Sequence, residues 1–321
     1  MRETLLTVEN LTTVFDTAAG TVAAVDSVDL AVNRGEVLAI VGESGCGKTV
    51  LSLSVLGLLV PPGRVASGRA VFDGQDLLAL PQRKLRTIRG RRASMIFQEP
   101  MTSLNPVLTI GDQVAEPVRV HKGLSRREAL GVAEAMLDRV GLPEPGRQLA
   151  AYPHELSGGQ RQRVMIAMAL VLSPELLIAD EPTTALDVTV QKQILDLMLG
   201  LTRDAGTAIA LVTHNLGVVA QTADNVAVMY SGRLVEYASV AEFFKAPAHP
   251  YSQGLLASLP RLEDRGRRLS PIAGAVPSLY RLPSGCHFHP RCPRAFAPCS
   301  GETPPLFTLP GGRRARCWLY G

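Results

Sequence analysis

The stretch EVLAIVGESGCGKTVLSLSVLGLL, residues 36–59, decides how this chain folds. Its apolar run from Val37 to Val41 has the length and content of a buried strand. A glycine-rich loop follows, and then apolar residues at helical spacing. Gly42-Glu43-Ser44-Gly45-Cys46-Gly47-Lys48-Thr49 matches G-x-x-x-x-G-K-[ST]. The glycines let backbone N–H groups turn inward around phosphate oxygens, and the helix N-terminus adds its positive dipole end. Lys48 is expected to reach the β- and γ-phosphates, and the Thr49 hydroxyl to ligate Mg²⁺. Cys46 reads as a small loop residue that offers its backbone rather than redox chemistry.

A metal-bound nucleotide also needs a carboxylate at the end of a neighbouring strand. ELLIADEP, residues 175–182, supplies it as an apolar run, Leu176 to Ala179, ending in Asp180-Glu181. Asp180 suits Mg²⁺ held through water, and Glu181 is placed to polarise an attacking water as general base. An acidic pair after a strand is by itself more often a solvated turn; beside the phosphate loop it reads as a hydrolysis site. Ligands of parallel α/β sheets sit at the carboxyl ends of the strands, which agrees.

Between these two segments lies HELSGGQRQRVMIAMALV, residues 154–171. Leu156-Ser157-Gly158-Gly159-Gln160 reads as a loop entering a long helix with Ser157 as N-cap, a second anion-accepting N-terminus. One nucleotide does not need two cradles, so the second makes sense if it is offered to ATP bound by a partner chain. With LSGGQ in that place and order, the chain resembles the ATP-binding subunits of ATP-binding cassette (ABC) transporters.

That resemblance implies an α/β fold: a P-loop NTPase core with an antiparallel β-subdomain, an α-helical subdomain and a small Cys-rich C-terminal extension. It also implies roles for further residues. Gln98, in MIFQEP, matches the glutamine that senses Mg²⁺ and the attacking water and links the site to the membrane subunits. Asp187, in TTALDVTV, matches the aspartate that crosses the dimer interface. His214, in IALVTHN, matches the switch histidine at the γ-phosphate, and Phe15, in TTVFDT, the aromatic that stacks on adenine. Ser157, Gly159 and Gln160 match signature positions that face the partner's ATP.

Residues 5–32 read as alternating short strands, LLTVENLTTVF and TVAAVDSVDLAV. Residues from about 99 to 155 read as helical, with SRREALGVAEAMLDRV ending at Gly141. The expected organisation is an ABC ATP-binding domain over 1–260, with its helical subdomain near 99–155, and an extension over 261–321.

Composition is that of a globular protein, 46% hydrophobic and 19% charged. The apolar stretch VLSLSVLGLLV at 50–60 stops at Pro61-Pro62, too short to span a bilayer, and no secretory leader is recognised. A cytoplasmic location is expected. Charge is uneven: residues 1–260 carry 23 Lys+Arg against 26 Asp+Glu, and residues 261–321 carry 10 against 3. Ten of the 23 prolines fall from Pro260 onward. A basic tail can face nucleic acid or an anionic membrane, but a solvated arginine-rich face is the simpler reading, and no nucleic acid is expected.

FQEPMTSLNPVLTIGDQ (97–113), HPYSQGLLASLP (249–260) and PIAGAVPSLYRLPSGCHFHPRCPRA (271–295) resemble the ATPases of dipeptide and oligopeptide importers. That branch implies a second ATPase subunit, usually a paralogue, two membrane permeases and an extracytoplasmic peptide-binding protein. It places the chain peripherally on the cytoplasmic face of the inner membrane. Nickel or glutathione import, or a soluble ABC ATPase acting on DNA or ribosomes, are the alternatives; the last brings coiled-coil insertions or two cassettes, and neither is present.

Cys286, Cys292, Cys299 and Cys317 follow the spacing C-x₅-C-x₆-C-x₁₇-C. In a cytosolic chain a disulfide framework is disfavoured. Structural zinc, with His287 or His289 as optional ligands, usually brings close C-x₂-C pairs, and a ferredoxin run is closer spaced too. Zinc, an iron–sulfur cluster and free thiols all stay open on spacing alone. The resemblance to peptide-importer ATPases, whose extensions carry four matching cysteines, implies a [4Fe–4S] cluster.

Overall fold

The computed structural model describes residues 2–98, 103–184, 186–259 and 272–321. In chain order the elements begin with strands β1 (Thr4–Thr17), β2 (Gly20–Asn33) and β3 (Val37–Val41), helix α1 (Lys48–Val55), and strands β4 (Gly63–Phe72) and β5 (Gln75–Asp76). Helix α2 (Gln82–Ile88), strand β6 (Ala93–Ile96) and helices α3 (Ile110–Lys122), α4 (Arg126–Arg139), α5 (Pro145–Gln148) and α6 (Gly158–Leu170) follow. Next come β7 (Leu176–Asp180), α7 (Val188–Ala205), β8 (Ala208–Val212), α8 (Leu216–Thr222), β9 (Asn225–Tyr230) and β10 (Arg233–Ser239). The chain ends with α9 (Val240–Lys245), α10 (Pro250–Ala257), α11 (Ala297–Gly301), β11 (Phe307–Thr308) and β12 (Arg314–Ala315). Two compact units result, one of residues 1–5, 32–36 and 79–211, the other of 6–31, 37–78 and 212–321.

In the first unit, β7 lies between β6 and β8. β6 and β7 run parallel, in register from Ala93↔Leu176 to Ile96↔Ala179. All five residues of β7 are buried, which is why the run from Leu176 to Ala179 is apolar throughout rather than alternating. Glu175, just before β7, ties the strand starts together: it accepts from Arg34 Nη1 at 2.8 Å and Arg92 Nε at 2.5 Å. The helical part is built from α3 and α4, packed through Val114, Val118, Ala129, Ala133 and Leu137, all fully buried. α4 opens on a capping box in which Ser125 and Glu128 exchange hydrogen bonds. Two bonds from Arg126 to Asp112, at 3.0 and 3.1 Å, tie its first turn to that of α3.

In the second unit β1 and β2 form a hairpin at the edge of an antiparallel sheet ordered β2-β1-β4-β5. β1 pairs with β4 from Leu6↔Phe72 to Phe15↔Gly63. The short strands expected over 5–32 are thus two strands of 14 residues each; alternation of buried and exposed positions persists through the whole hairpin. A second set of strands runs β11-β12-β10-β9-β3, with β3 parallel to β9 and the others antiparallel. Glu236 pairs with Ala315 there, so the C-terminal extension contributes strands to the same sheet. α1 stops at Val55, short of the apolar run to residue 60, because Gly57 takes a left-handed φ of 62°. The domain boundary expected near Pro260 lies outside the described residues.

The core of this unit joins Val41, Val228, Val235, Phe243 and Tyr251 to Phe288 of the extension. Phe288 is 2% exposed. Its ring lies 5.2 Å from Tyr230, edge to face, and 5.4 Å from Tyr251, geometry that favours aromatic pairs beyond their buried area. One aromatic therefore anchors the cysteine-rich segment in the core that also packs β3.

Candidate functional site

In the second unit, β3 delivers the chain into the Gly42–Thr49 loop and α1 leaves it at Lys48. Gly47, at φ 101°, and Gly42, at φ 155°, hold the loop's turns. A Cβ on Gly47 would meet the Ala24 carbonyl at 2.2 Å, and one on Gly42 the Met229 carbonyl at 2.2 Å. The loop is therefore pressed onto β2 and β9, and only glycine fits at these two positions. Lys48 is 6% exposed, and its Nζ donates to the carbonyls of Gly42 at 2.8 Å and Glu43 at 3.1 Å. That arrangement curls the loop around its own ammonium group. Cys46 is 1% exposed, and burial pushes its thiol above the ordinary range despite the neighbouring Lys48. It is a packed residue with low thiolate character.

Within the same unit, Thr213 N donates to the Ile40 carbonyl at 3.1 Å. His214 follows, exposed, and Asn215 caps α8 by accepting from Gly217 and Val218 at 3.0 and 3.3 Å. Phe15 lies half-buried near the end of β1, opposite Gly63, where a Cβ would meet its ring at 2.8 Å.

In the first unit, Asp180 closes β7 at 1% exposure. Glu181 follows in a left-handed conformation, φ 45°, a conformation costly for a residue with a Cβ and common where function constrains the backbone. Its Oε2 accepts from Gln98 Nε2 at 3.1 Å and Thr184 Oγ1 at 2.9 Å. Gln98 and Glu181, named separately from sequence, are brought together here. Ser157 caps α6 as expected: its Oγ accepts from Gln160 N at 3.3 Å, and its N donates to Gln160 Oε1 at 2.8 Å. Asp187 caps α7, accepting from Thr189 and Val190 at 3.1 and 3.0 Å. A Cβ on Gly159 would meet Val190 Cγ1 at 3.2 Å, so the starts of α6 and α7 lie against each other.

The extension draws its four cysteines to one place. Cys286, Cys292, Cys299 and Cys317 all line one small cavity, together with His249 and His289. All four are free thiols. Burial raises the pKa of Cys286, Cys292 and Cys317, the last to about 11, with neighbouring thiols adding to the effect. Among the described residues, no group of three or more His, Cys, Asp or Glu is arranged to hold a metal ion. Four thiols facing one cavity are, by donor chemistry, suited to a thiolate-ligated group. His287, an optional zinc ligand on sequence, instead turns its Nδ1 to the Ser231 carbonyl at 3.1 Å.

Two contacts to the Gly42–Thr49 loop were not expected from the sequence. Tyr251 Oη accepts from Glu43 N at 2.9 Å, and Arg291 grips the Glu43 carboxylate. Both partners lie more than 200 positions away in sequence. No local signal in the sequence names either partner. No helix among the described residues is long and apolar enough to cross a membrane.

Residues 25–184 match the family described as ABC transporter, and residues 235–299 that described as oligopeptide/dipeptide transporter, C-terminal region. A putative peptide import ATP-binding protein of Brucella abortus is 55% identical over 303 residues, covering 91% of this chain and 90% of that protein. The dipeptide transport ATP-binding protein of Bacillus subtilis is 49% identical, covering 99% and 95%. The oligopeptide transport ATP-binding protein of Salmonella typhimurium is 52% identical, covering 91% and 87%. Among solved structures, a dimeric ATP-binding cassette in a post-hydrolysis state with ADP and Pi matches with TM-score 0.66 and 27% identity. That match covers 74% of this chain and 99% of the cassette.

Proposed function

We infer function from one premise: this chain belongs to the ATP-binding subunits of ABC transporters, in their oligopeptide/dipeptide branch. It is the ATP-hydrolysing subunit that powers import of di- and oligopeptides, converting ATP and water to ADP and phosphate. The observation that carries this reading is the occurrence in one chain of the Gly42–Thr49 phosphate loop and an extension of the peptide-transporter type.

We propose the following division of labour. The loop from Gly42 to Thr49 would take the phosphates and Lys48 the β/γ oxygens; Thr49, Asp180 and Gln98 are the residues that would hold Mg²⁺, which would neutralise phosphate charge. Glu181 accepts the proton of the attacking water, and Gln98 orients that water from its position beside Glu181. Phe15 stacks on adenine, and His214 contacts the γ-phosphate. Ser157, Gly159 and Gln160 meet the nucleotide of a second ATPase subunit, across an interface that Asp187 also enters. ATP binding favours the closed pair because only closure offers each nucleotide both half-sites.

The partners in this reading are a paralogous ATPase subunit, two membrane permeases and an extracytoplasmic peptide-binding protein. The chain works peripherally at the cytoplasmic face of the inner membrane. Residues 1–260 form the ATPase part and 261–321 the extension. Purification with two polytopic permeases tests this; ATPase stimulation by DNA or ribosomes in their place would contradict it.

We further propose that Cys286, Cys292, Cys299 and Cys317 hold a [4Fe–4S] cluster with a structural role. Support comes from four thiols lining one cavity outside the nucleotide motifs. Iron and acid-labile sulfide in protein purified without oxygen are the expected result. Stoichiometric zinc would move the assignment to Zn²⁺, and metal-free protein would overturn both.

A further inference from the structure

The phosphate loop carries a carboxylate of its own. Glu43 is its second residue, so a negative charge sits within the segment that takes anionic phosphates. Left without a counter-charge, such a group lowers the local positive potential and weakens anion binding.

Arg291 supplies the counter-charge. Its Nη1 donates to Glu43 Oε2 at 2.8 Å and its Nη2 to Oε1 at 3.1 Å. This is the two-pronged geometry in which a guanidinium binds a carboxylate most strongly. The arginine side chain is only 5% exposed, so solvent screens the pair little on that side. The remaining donors fix the direction of the fork. Nε donates to the Ala273 carbonyl at 2.9 Å, Nη2 also reaches the Ile272 carbonyl at 3.4 Å, and Nη1 reaches Tyr230 Oη at 3.3 Å. A guanidinium so occupied has one carboxylate to serve, and that carboxylate is Glu43. The Glu43 backbone is held as well, its N–H by Tyr251 Oη at 2.9 Å and its carbonyl by Lys48 Nζ at 3.1 Å.

We propose that Arg291 is a positioning residue for nucleotide binding: it pairs and fixes the Glu43 carboxylate, and thereby sets ATP affinity without touching ATP. Arg291 sits on the short 3₁₀ turn His289–Arg291, one residue before Cys292. The cysteine-rich extension therefore reaches the phosphate loop directly through the Arg291 side chain. A second contact runs alongside: His287 holds the Ser231 carbonyl, and Gly232 N donates to the Cys46 carbonyl at 3.0 Å.

The inference rests on reading residues 42–49 as the phosphate loop. The test is equilibrium binding of MgATP to the full chain, native and Arg291→Gln, with KM and kcat from the permease-bound complex. Native protein that does not bind MgATP would overturn the phosphate-loop reading itself. With native binding intact, Arg291→Gln is expected to weaken MgATP binding about tenfold and raise KM in parallel, with kcat changed less than about threefold. Adding Glu43→Gln to Arg291→Gln should recover affinity, because the uncompensated carboxylate is then gone. Unchanged affinity in Arg291→Gln, or no recovery in the double variant, overturns the role of Arg291. If Arg291→Gln does not fold, Glu43→Gln is compared with the double variant. With the carboxylate removed, loss of Arg291 should change affinity less than about threefold, and a tenfold drop would refute the proposal.

Discussion

Gln98 Nε2 and Glu181 Oε2 stand 3.1 Å apart, joined by a hydrogen bond across neighbouring strand ends. Strand register produces the meeting. Ile96 lies opposite Ala179 in the parallel pair of β6 and β7, so the residues two further along each chain, Gln98 and Glu181, arrive side by side. The left-handed backbone of Glu181 and the Thr184 hydroxyl at 2.9 Å fix the carboxylate in that position.

Glu181→Gln keeps the shape of this contact and removes the proton acceptor. Phosphate release by the assembled transporter is expected to fall about 10²–10⁴-fold, the range of general-base contributions. MgATP binding should stay near native. Phosphate release at the native rate would remove Glu181 from the role of base.

Gln98→Ala leaves Glu181 with Thr184 but without its amide neighbour. We expect kcat to fall by more than tenfold and MgATP affinity by a smaller factor, since an orienting hydrogen bond is lost together with one side-chain oxygen proposed for Mg²⁺. A parallel loss of affinity and rate would show that Gln98 serves binding instead. Steady-state kinetics beside equilibrium binding separates the two.

Glu175 gives a test in pH. The Arg92 hydrogen bond holds its carboxyl below the ordinary 4.5, with Arg34 adding to it and partial burial opposing. The folded state therefore favours the ionised form, and the stabilisation is complete above about pH 4.5. It fades as pH falls through the lowered folded value. The half-exposed pairs are worth less than about 1 kcal/mol each. Glu175→Gln should be slightly less stable than native at pH 7 in urea unfolding, and the gap should close as pH falls below 4.5 and through the lowered folded value. A gap that widened in acid would contradict this.

Phe288 tests whether the extension belongs to the core of its unit. Phe288→Ala is expected to cost about 3–5 kcal/mol, and Phe288→Leu less than half of that. Thermal unfolding of the full chain reads the difference. An alanine variant as stable as native would mean that the aromatic cluster contributes no packing.

The local structure of the motif segments was legible because each is set by near neighbours. The phosphate loop, the Asp180-Glu181 strand end and the Ser157 cap each declare themselves within a dozen residues, since strand, turn and helix start are set by neighbours in the chain. The length of the β1–β2 hairpin was less legible, because an alternating pattern says little about where a strand breaks. The end of α1 was hidden for a different reason. Apolar residues continue past Val55, and only the left-handed Gly57 stops the helix. The bond between Arg291 and Glu43 was beyond reach, because nothing local to either residue names a partner 248 positions away. Convergence of the four cysteines on one cavity is likewise a matter of tertiary packing, with Phe288 as its anchor.

The central claim is that ATP hydrolysis by this chain drives peptide entry. It is tested most directly by uptake of labelled di- and oligopeptides into a strain lacking the gene, complemented with native protein or with Glu181→Gln. The native chain should restore uptake, and the variant, expressed to the same level, should not. Uptake restored equally by both, or undiminished in the strain lacking the gene, would contradict the account.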